Sequence, residues 1–189
     1  MSREAILEKI RQSKPHAKAH PGIIEIKKSD NTEQLAGEFS KQATLVGAEV
    51  TELTDKKQVE QLLSEQYAKA IDFRKEKNRK KYGTGCSKEK LEKLKTVILE
   101  GKFGVAENGA VWIDESNFPN RLIPFITEQL IILVPKKNLV SRMHEAYEII
   151  GNTDYKFGVF ISGPSKTADI EQSLVYGAHG AIKLSVILN

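Results

Sequence analysis

The chain has 189 residues, a formal net charge of +4, 40% hydrophobic residues and 29% charged residues. A chain of this length buries about 70% of its unfolded surface on folding, so its core needs neither disulfides nor metal ions. This composition excludes wholesale disorder, and the weak positive charge permits an anionic ligand without by itself indicating nucleic acid.

The cysteine and histidine content argues against bound redox groups. Cys86 is the single cysteine, which excludes an internal disulfide and an iron–sulfur cluster held by four thiolates of this chain. His16 and His20 are four residues apart, but Pro15 and Pro21 bracket them and no third ligand is near. No Gly-x-Gly-x-x-Gly turn is present. We therefore expect no metal site and no cofactor.

The apolar segments are too short for a membrane protein. The longest apolar stretch, residues 122–134, is interrupted by Pro124 and Glu128 and is too short to span a bilayer. The N-terminus lacks the apolar core of a secretion signal. We expect a cytoplasmic protein.

The N-terminal part of the chain predicts a helix followed by a linker. Ser2 caps a helix that ends before Pro15, and residues 14–22 contain two prolines and two histidines. We therefore divide the chain into an N-terminal helix and linker, residues 1–29, and a main domain, residues 30–189.

The main domain opens with two helices separated by a short strand. Asp30 and Glu33 have the spacing of a capping box, and the helix that they begin ends at Gly47. Residues 48–53 predict a strand, and Asp55 begins the next helix.

A basic run follows at residues 74–81, where six of eight residues are Lys or Arg. Such a run is usually a solvated surface, and the alternatives are a docking site for an acidic partner or for nucleic acid. Phe73 and Tyr82 flank the run, but no RNA-binding signature accompanies it. We do not expect nucleic acid as the partner.

The second half of the chain alternates strands and helices. A predicted helix is capped by Asn138 and closed by Gly151. The pattern predicts an α/β protein with a largely parallel sheet covered on both faces. The predicted strands are residues 97–99, 103–106, 110–113, 130–134, 157–161 and 182–188.

The segment after Ile161 carries the most informative pattern. A strand at 157–161 ends at a Ser-Gly-Pro-Ser turn, and the spacing of Ile170 and Leu174 predicts a helix over 168–175 that follows it directly. Ligands of parallel sheets bind at such turns, where free N–H groups of the helix favour anions. The alternative is plain helix capping. The candidate ligand-binding residues are Gly163, Pro164, Ser165, Lys166, Thr167 and Asp169.

A histidine flanked by glycines follows, at Gly177-Ala178-His179-Gly180. An imidazole in such a turn suits proton transfer near neutral pH, and the alternative is a loop histidine without a catalytic role. Ser165, Asp169 and His179 stand in the chain order of one hydrolase triad. However, the Gly-x-Ser-x-Gly turn that such a triad requires is absent.

The segment around Asn108-Gly109 predicts a hairpin, because Asn-Gly is a strong two-residue turn signal. Glu107, which precedes the turn, is a candidate for pointing into a pocket. We expect residues 163–167, Glu107 and His179 to converge on one cleft, with Asn108, Gly109 and Gly180 beside them.

The motifs resemble those of the lactate-utilisation protein C family, the LUD domain. Residues 163–171 and 177–180 are similar to the C-terminal signature of that family, residues 103–109 to its second motif, and residues 122–124 to its third. The resemblance covers residues 96–189 by motifs. The family's signature usually ends His-Gly-Pro, whereas this chain has Ala181.

The resemblance implies a fold and a cellular role. It implies a three-layer α/β/α core similar to ribose-5-phosphate isomerase, glucosamine-6-phosphate deaminase and CoA transferases. It also implies a part in the bacterial oxidation of L-lactate to pyruvate, alongside two iron–sulfur partner proteins. With one cysteine, the chain would be a non-redox subunit that binds a small anionic ligand at residues 163–169.

Two other functions fit the same residues. One is a stand-alone enzyme acting on a phosphorylated sugar or acyl-CoA, with Glu107 as base or nucleophile. The other is a binding module for an acidic partner through residues 74–81.

Overall fold

The structure, a computed structural model, describes residues 2–14, 31–168, 174–177 and 179–189. The first helix, α1 (Arg3–Gln12), begins as predicted at Ser2, whose Oγ accepts a hydrogen bond from Ala5 N over 3.3 Å. It buries none of its residues. Most of the predicted linker, with the His16 and His20 pair, lies outside the described residues, as does the predicted cap at Asp30.

Six further α-helices and one 3-10 helix, Lys136–Asn138, follow in the described part of the chain. The second begins at Asn31, whose Oδ1 accepts a hydrogen bond from Gln34 N, and Gly47 follows its end with a φ of 92°. No helix in the described ranges is long and apolar enough to cross a membrane. The helices are α2 (Thr32–Leu45), α3 (Lys56–Gln66), α4 (Glu76–Lys81), α5 (Lys88–Leu91), α6 (Ile123–Ile126) and α7 (Met143–Gly151).

The strands form three sheets. The central sheet has the order β1-β11-β6-β3-β2, and each neighbouring pair in it is parallel. This confirms the predicted α/β fold with a mainly parallel sheet. In chain order the strands are β1 (Glu49–Glu52), β2 (Ile71–Asp72), β3 (Thr96–Glu100), β4 (Phe103–Val105), β5 (Ala110–Asp114), β6 (Gln129–Val134), β7 (Leu139–Val140), β8 (Gly158–Ile161), β9 (Lys166–Ala168), β10 (Leu174–Tyr176) and β11 (Lys183–Leu188).

Both faces of the central sheet are covered. On one face, Ile131 and its neighbours pack against Val59 and Leu63 of α3. On the other face, Ile132 belongs to a larger core that includes Phe39 of α2 and residues of β5. Alternate residues of β6 therefore face opposite layers, which explains why the strand is an unbroken apolar run.

A second, four-stranded sheet packs on the larger core, with the order β7-β4-β5-β8. The strand β8 pairs antiparallel with β5 in this sheet, Phe160 opposite Trp112. The prediction that residues 157–161 lie in the parallel sheet was therefore wrong, although the strand itself is present. The reason is aromatic packing, since the Phe160 and Trp112 ring centroids are 4.7 Å apart.

The helix predicted over residues 168–175 is also wrong where the structure describes the chain. The strands β9 and β10 form a separate antiparallel hairpin in which Val175 pairs with Thr167. Gly177 N extends the pairing by donating to the Ser165 carbonyl over 3.0 Å. Branched side chains at Thr167 and Val175 favour strand conformation, and Asp169 lies outside the described residues.

The helix predicted to begin at Asn138 begins later, at Met143. The intervening residues form β7, which pairs with β4, and the Val140 carbonyl accepts a hydrogen bond from Ala106 N. Leu139 is buried in the larger core. Because Leu139 packs in this core as part of β7, the helix begins only after the strand ends.

Candidate functional site

The loop that leaves β8 is held against the residue that follows α2 and against the turn between β4 and β5. Gly163 has a φ of 74°, and a Cβ at this position would lie 2.4 Å from the Val46 carbonyl oxygen, so only glycine fits there. Ser162 Oγ donates to the Asn108 carbonyl over 2.9 Å. These contacts fix where residues 162–165 leave the second sheet.

Ser165 joins this loop to the segment that precedes β11. Its backbone N–H donates to the Ala181 carbonyl over 2.8 Å. Its side-chain Oγ accepts a hydrogen bond from His179 N over 3.3 Å. Gly180 lies against the same side chain, since a Cβ on Gly180 would stand 3.2 Å from Ser165 Cβ. The two predicted motifs therefore meet at Ser165.

A cavity of about 210 Å³ lies between these two segments and the central sheet. Leu130 and Leu184, the second residues of β6 and β11, line it, so it stands at the amino ends of the central strands. The turn after residues 157–161 was expected to follow a strand of the parallel sheet, which is wrong because β8 belongs to the other sheet. The remaining lining residues are Pro124, Phe125, Phe160, Ile161, Ser162, Gly163, Pro164, Ser165, His179, Gly180 and Ala181.

Two polar groups at this cavity are uncommitted. Within the described residues, the Ser165 hydroxyl accepts a hydrogen bond but donates none, and the His179 imidazole makes no hydrogen bond or ion pair. The His179 side chain is exposed. A hydroxyl donor and an imidazole are therefore available beside an apolar wall, which is the usual composition of a small-molecule site.

Two other candidate residues of the loop have structural roles. Lys166 Nζ donates to the Val46 carbonyl over 2.6 Å and lies 5.9 Å from the centre of the Tyr176 ring. Thr167 is paired within the β9–β10 hairpin. Neither residue lines the cavity, and the Lys166 ammonium group is directed at a backbone carbonyl.

Glu107 lies at the start of α7 and does not line the cavity. Its Oε1 accepts a hydrogen bond from Met143 N over 3.0 Å, and its Oε2 accepts one from Arg142 over 3.4 Å. A carboxylate at a helix N-terminus stabilises the free N–H groups there. The structure therefore gives Glu107 a capping contact and does not bring it to the cavity of Ser165 and His179.

Asn108 and Gly109 shape the turn between β4 and β5. Asn108 Oδ1 accepts a hydrogen bond from Ala110 N over 3.0 Å. Gly109 has a φ of 64°, and a Cβ there would lie 2.4 Å from Ala43 N. The predicted hairpin is present, and its two turn residues fit it against α2.

The apolar wall of the cavity contains residues that sequence analysis did not select. Pro124 and Phe125 come from α6, and Phe160 comes from β8. The signal for α6 was present, because Pro124 stands in the first turn of the helix, where proline is favoured. Nothing in the sequence indicated that this helix would face residues 162–165.

The described ranges offer no metal centre. No group of three or more His, Cys, Asp and Glu side chains within them is arranged to hold a metal ion. Cys86 is a free, partly buried thiol, and His144 is exposed on α7.

Comparison with known proteins agrees with the motifs. The family model of the LUD domain matches residues 23–188. The chain belongs to the LUD domain family. This confirms the resemblance that the motifs indicated. A crystal structure of a DUF162 family protein from Deinococcus radiodurans has a similar fold, with a TM-score of 0.56 over 84% of this chain and 98% of that chain, at 13% sequence identity.

Curated relatives match this LUD domain chain over part of their length. The Lactate utilization protein C of Geobacillus kaustophilus is 39% identical over 90 residues, which is 44% of this chain and 38% of that protein. The Lactate utilization protein C of Bacillus subtilis is 35% identical over 105 residues, which is 52% of this chain and 44% of that protein. Lactate utilization protein C 1 of Bacillus mycoides is 33% identical over 117 residues, which is 57% of this chain and 50% of that protein. The matches therefore span half or less of these relatives.

Proposed function

We propose that this LUD domain chain acts in lactate utilisation as a non-redox component that binds a small carboxylate in the cavity beside Ser165 and His179. Support for the pathway comes from the relatives, which are named for lactate utilisation. Support for the non-redox role comes from the single cysteine, since a conventional iron–sulfur cluster needs four thiolates.

The hydrogen bond from His179 N to Ser165 Oγ is the observation that carries the binding site. It holds the exposed imidazole beside a hydroxyl that has a proton left to donate. A carboxylate accepts hydrogen bonds from both groups, and such charge-assisted bonds are roughly twice as strong as neutral ones. Phe125 and Leu184 offer an apolar surface to a methyl group such as that of lactate or pyruvate.

The oxidation itself must then involve another protein. Converting a 2-hydroxy acid to a 2-oxo acid removes two electrons and two protons, so an electron acceptor is required. We assign that acceptor to iron–sulfur partner proteins, which leaves this chain to hold the substrate or product. We therefore expect the isolated chain to bind L-lactate or pyruvate without converting either one.

Isothermal titration of the purified chain with sodium L-lactate, sodium pyruvate and sodium phosphate tests the binding site. We expect His179→Ala to weaken carboxylate binding by about tenfold, the value of one charge-assisted hydrogen bond. His144→Ala is the matched control, since His144 is also an exposed histidine but lies on α7.

Two outcomes would overturn the proposal. One is equal carboxylate affinity of the wild-type chain and His179→Ala, which would leave the glycine-flanked histidine as a plain loop residue. The other is reduction of an artificial electron acceptor by L-lactate with the isolated chain alone, which would make the chain itself the dehydrogenase. Turnover of a phosphorylated sugar or an acyl-CoA would favour the stand-alone enzyme instead.

A further inference from the structure

A second cavity, of about 460 Å³, opens at the carboxyl ends of the central strands. Glu100 ends β3, Pro135 follows β6 and Asn189 follows β11, and all three line it. Ligands of open parallel sheets usually bind at this edge, where the loops that leave the strands converge. The cavity is more than twice as large as the one beside Ser165.

The charged side chains around this cavity fall into two groups. Arg74 is committed, because Nη1 donates to Glu60 over 3.0 Å and Nη2 to Asp72 over 2.8 Å. Lys56 and Glu100, in contrast, are exposed and form no ion pair or hydrogen bond through their side chains with another described residue. One ammonium group and one carboxylate are therefore available to a ligand.

Lys102 and Asn138 add further polar atoms. Lys102 Nζ forms an ion pair with Asp114 Oδ2 at 3.8 Å, beyond hydrogen-bond distance, and its side chain is 43% exposed. Asn138 Nδ2 donates to the Lys102 carbonyl over 2.9 Å, and its Oδ1 accepts no hydrogen bond from a described residue. The cavity thus offers a second ammonium group, which already has one carboxylate partner, and a second acceptor.

Asn117 adds an amide donor from a largely buried side chain to this cavity. The residue is 9% exposed, and its Oδ1 accepts a hydrogen bond from Asp114 N over 3.0 Å. Its Nδ2 donates to no described residue, although the side chain lines the cavity. The Asn117 amide nitrogen is therefore available as a donor to a ligand in the cavity.

From these groups we infer that the cavity at the carboxyl edge of the central sheet binds a small hydroxylated anion. Lys56, Lys102 and Asn117 donate to the carboxylate or phosphate of the ligand. Glu100 and Asn138 Oδ1 accept hydrogen bonds from its hydroxyl groups. This site is separate from the cavity beside Ser165 and His179, and its occupancy does not depend on the function proposed there.

An NMR titration of the ¹⁵N-labelled full chain tests the inference. The probes are sodium D-glycerate and sodium glycerol 3-phosphate, which share hydroxyl groups and differ in the anionic group, and sodium propionate, which has no hydroxyl. We expect shifts of the backbone amides of residues 100–102 and of the Asn117 side-chain amide with a hydroxylated probe and none with propionate. Binding of one probe only identifies the carboxylate or the phosphate as the preferred anion.

Matched variants make the assignment specific. Lys56→Gln should weaken binding by about tenfold, whereas Lys57→Gln, which changes the neighbouring exposed lysine of α3, should not. Asn117→Asp keeps the acceptor for Asp114 N, removes the donor and should also weaken binding, and its thermal unfolding shows whether it folds. His144→Ala, on α7 and outside both cavities, should bind with wild-type affinity.

The inference is overturned if neither hydroxylated probe shifts these amides at about 20 mM, a concentration that detects even millimolar affinity. It is also overturned if the shifts map to residues 162–165 and 179–181 alone, or if Lys56→Gln and Lys57→Gln bind equally. Equal shifts with propionate and D-glycerate would remove the role of the hydroxyl groups.

Discussion

The backbone N–H of His179 donates to the side-chain oxygen of Ser165, fourteen residues earlier in the chain, over 3.3 Å. The same serine donates its own backbone N–H to the Ala181 carbonyl. One residue thus fixes both sides of the cavity, and the imidazole is positioned by the backbone without using either of its ring nitrogens.

Replacing Ser165 tests how much this contact contributes to the fold. We expect Ser165→Ala to lower the free energy of unfolding by about 0.5 to 1.5 kcal/mol, because His179 N–H loses its acceptor. Ser64→Ala is the control, since Ser64 is exposed on α3 and its hydroxyl bonds to Gln61 of the same helix. Urea unfolding with a constant m-value measures the free energy of unfolding of both variants. Equal effects of the two variants would contradict the joining role of Ser165.

Gly163 is the position of the loop least able to accept a side chain. Gly163→Ala should destabilise the chain by about 1 to 3 kcal/mol, because the residue has a positive φ and the new Cβ would meet the Val46 carbonyl. Gly85→Ala is the matched control, since Gly85 has no positive φ and no neighbour within 4 Å of an added Cβ. The thermal unfolding temperatures of the two variants measure this difference in stability. A stable Gly163→Ala variant would show that the loop sits differently against α2.

Glu107 is expected to act through α7. Glu107→Ala should lower the free energy of unfolding by about 1 to 2 kcal/mol, because Met143 N loses its cap. Glu107→Gln keeps an acceptor and should recover part of that loss. Far-UV circular dichroism during thermal unfolding measures the effect. If Glu107→Ala unfolds like the wild-type chain but loses an enzymatic activity, the carboxylate has a chemical role instead.

The basic run at residues 74–81 should separate into structural and solvated positions. Arg74→Ala should destabilise the chain by about 3 kcal/mol, because it leaves the buried Asp72 carboxylate without its bidentate partner. Lys77→Ala, at an exposed position, should change stability by less than about 0.5 kcal/mol. Denaturant unfolding measures the change in the free energy of unfolding for both variants. A neutral Arg74→Ala would mean that the whole run is solvated surface.

The ion pair between Glu52 and Lys136 should make stability depend on acidity. Hydrogen bonds from Lys136 and Ser40 hold the pKa of Glu52 below its ordinary value of 4.5. A lowered carboxyl pKa in the folded state contributes stability above the unfolded pKa, and that contribution is lost as the pH falls through the folded pKa.

Lys136→Met should therefore lower the free energy of unfolding by up to about 1 kcal/mol near neutral pH and change it little in acid. The effect is small because Glu52 is 38% exposed. Lys137→Met is the control at a neighbouring exposed lysine. Free energies of unfolding between about pH 3 and pH 7 check the slope. Parallel stability curves for the wild-type chain and Lys136→Met would disprove the coupling.

Local signals in the sequence were sufficient for several helix boundaries. Ser2 begins α1, Gly47 follows α2 and Gly151 ends α7, because caps and glycines act within one turn of the backbone. The strand at 158–161 was also predictable from its apolar run. Its sheet was not, since pairing with β5 depends on residues more than forty positions away.

The hairpin of β9 and β10 shows where local pattern misleads. Ile170 and Leu174 are four residues apart, which fits a helix, yet the chain pairs Val175 with Thr167. Cross-strand pairing and the contact of Gly177 with Ser165 override the helical spacing there. Helix propensity is a weak preference, and tertiary contacts of this kind routinely exceed it.

Residue identity and short spacing were enough to indicate the family, the parallel α/β core and the motif residues Gly163, Ser165, His179 and Gly180. Which of these residues meet depends on the fold. It brought Ser165 to His179, placed Glu107 at the start of α7, and gathered Lys56, Glu100 and Asn117 at the other edge of the sheet. The physical reason is that such contacts arise from strand order and sheet packing, which join residues with no local relationship in the chain.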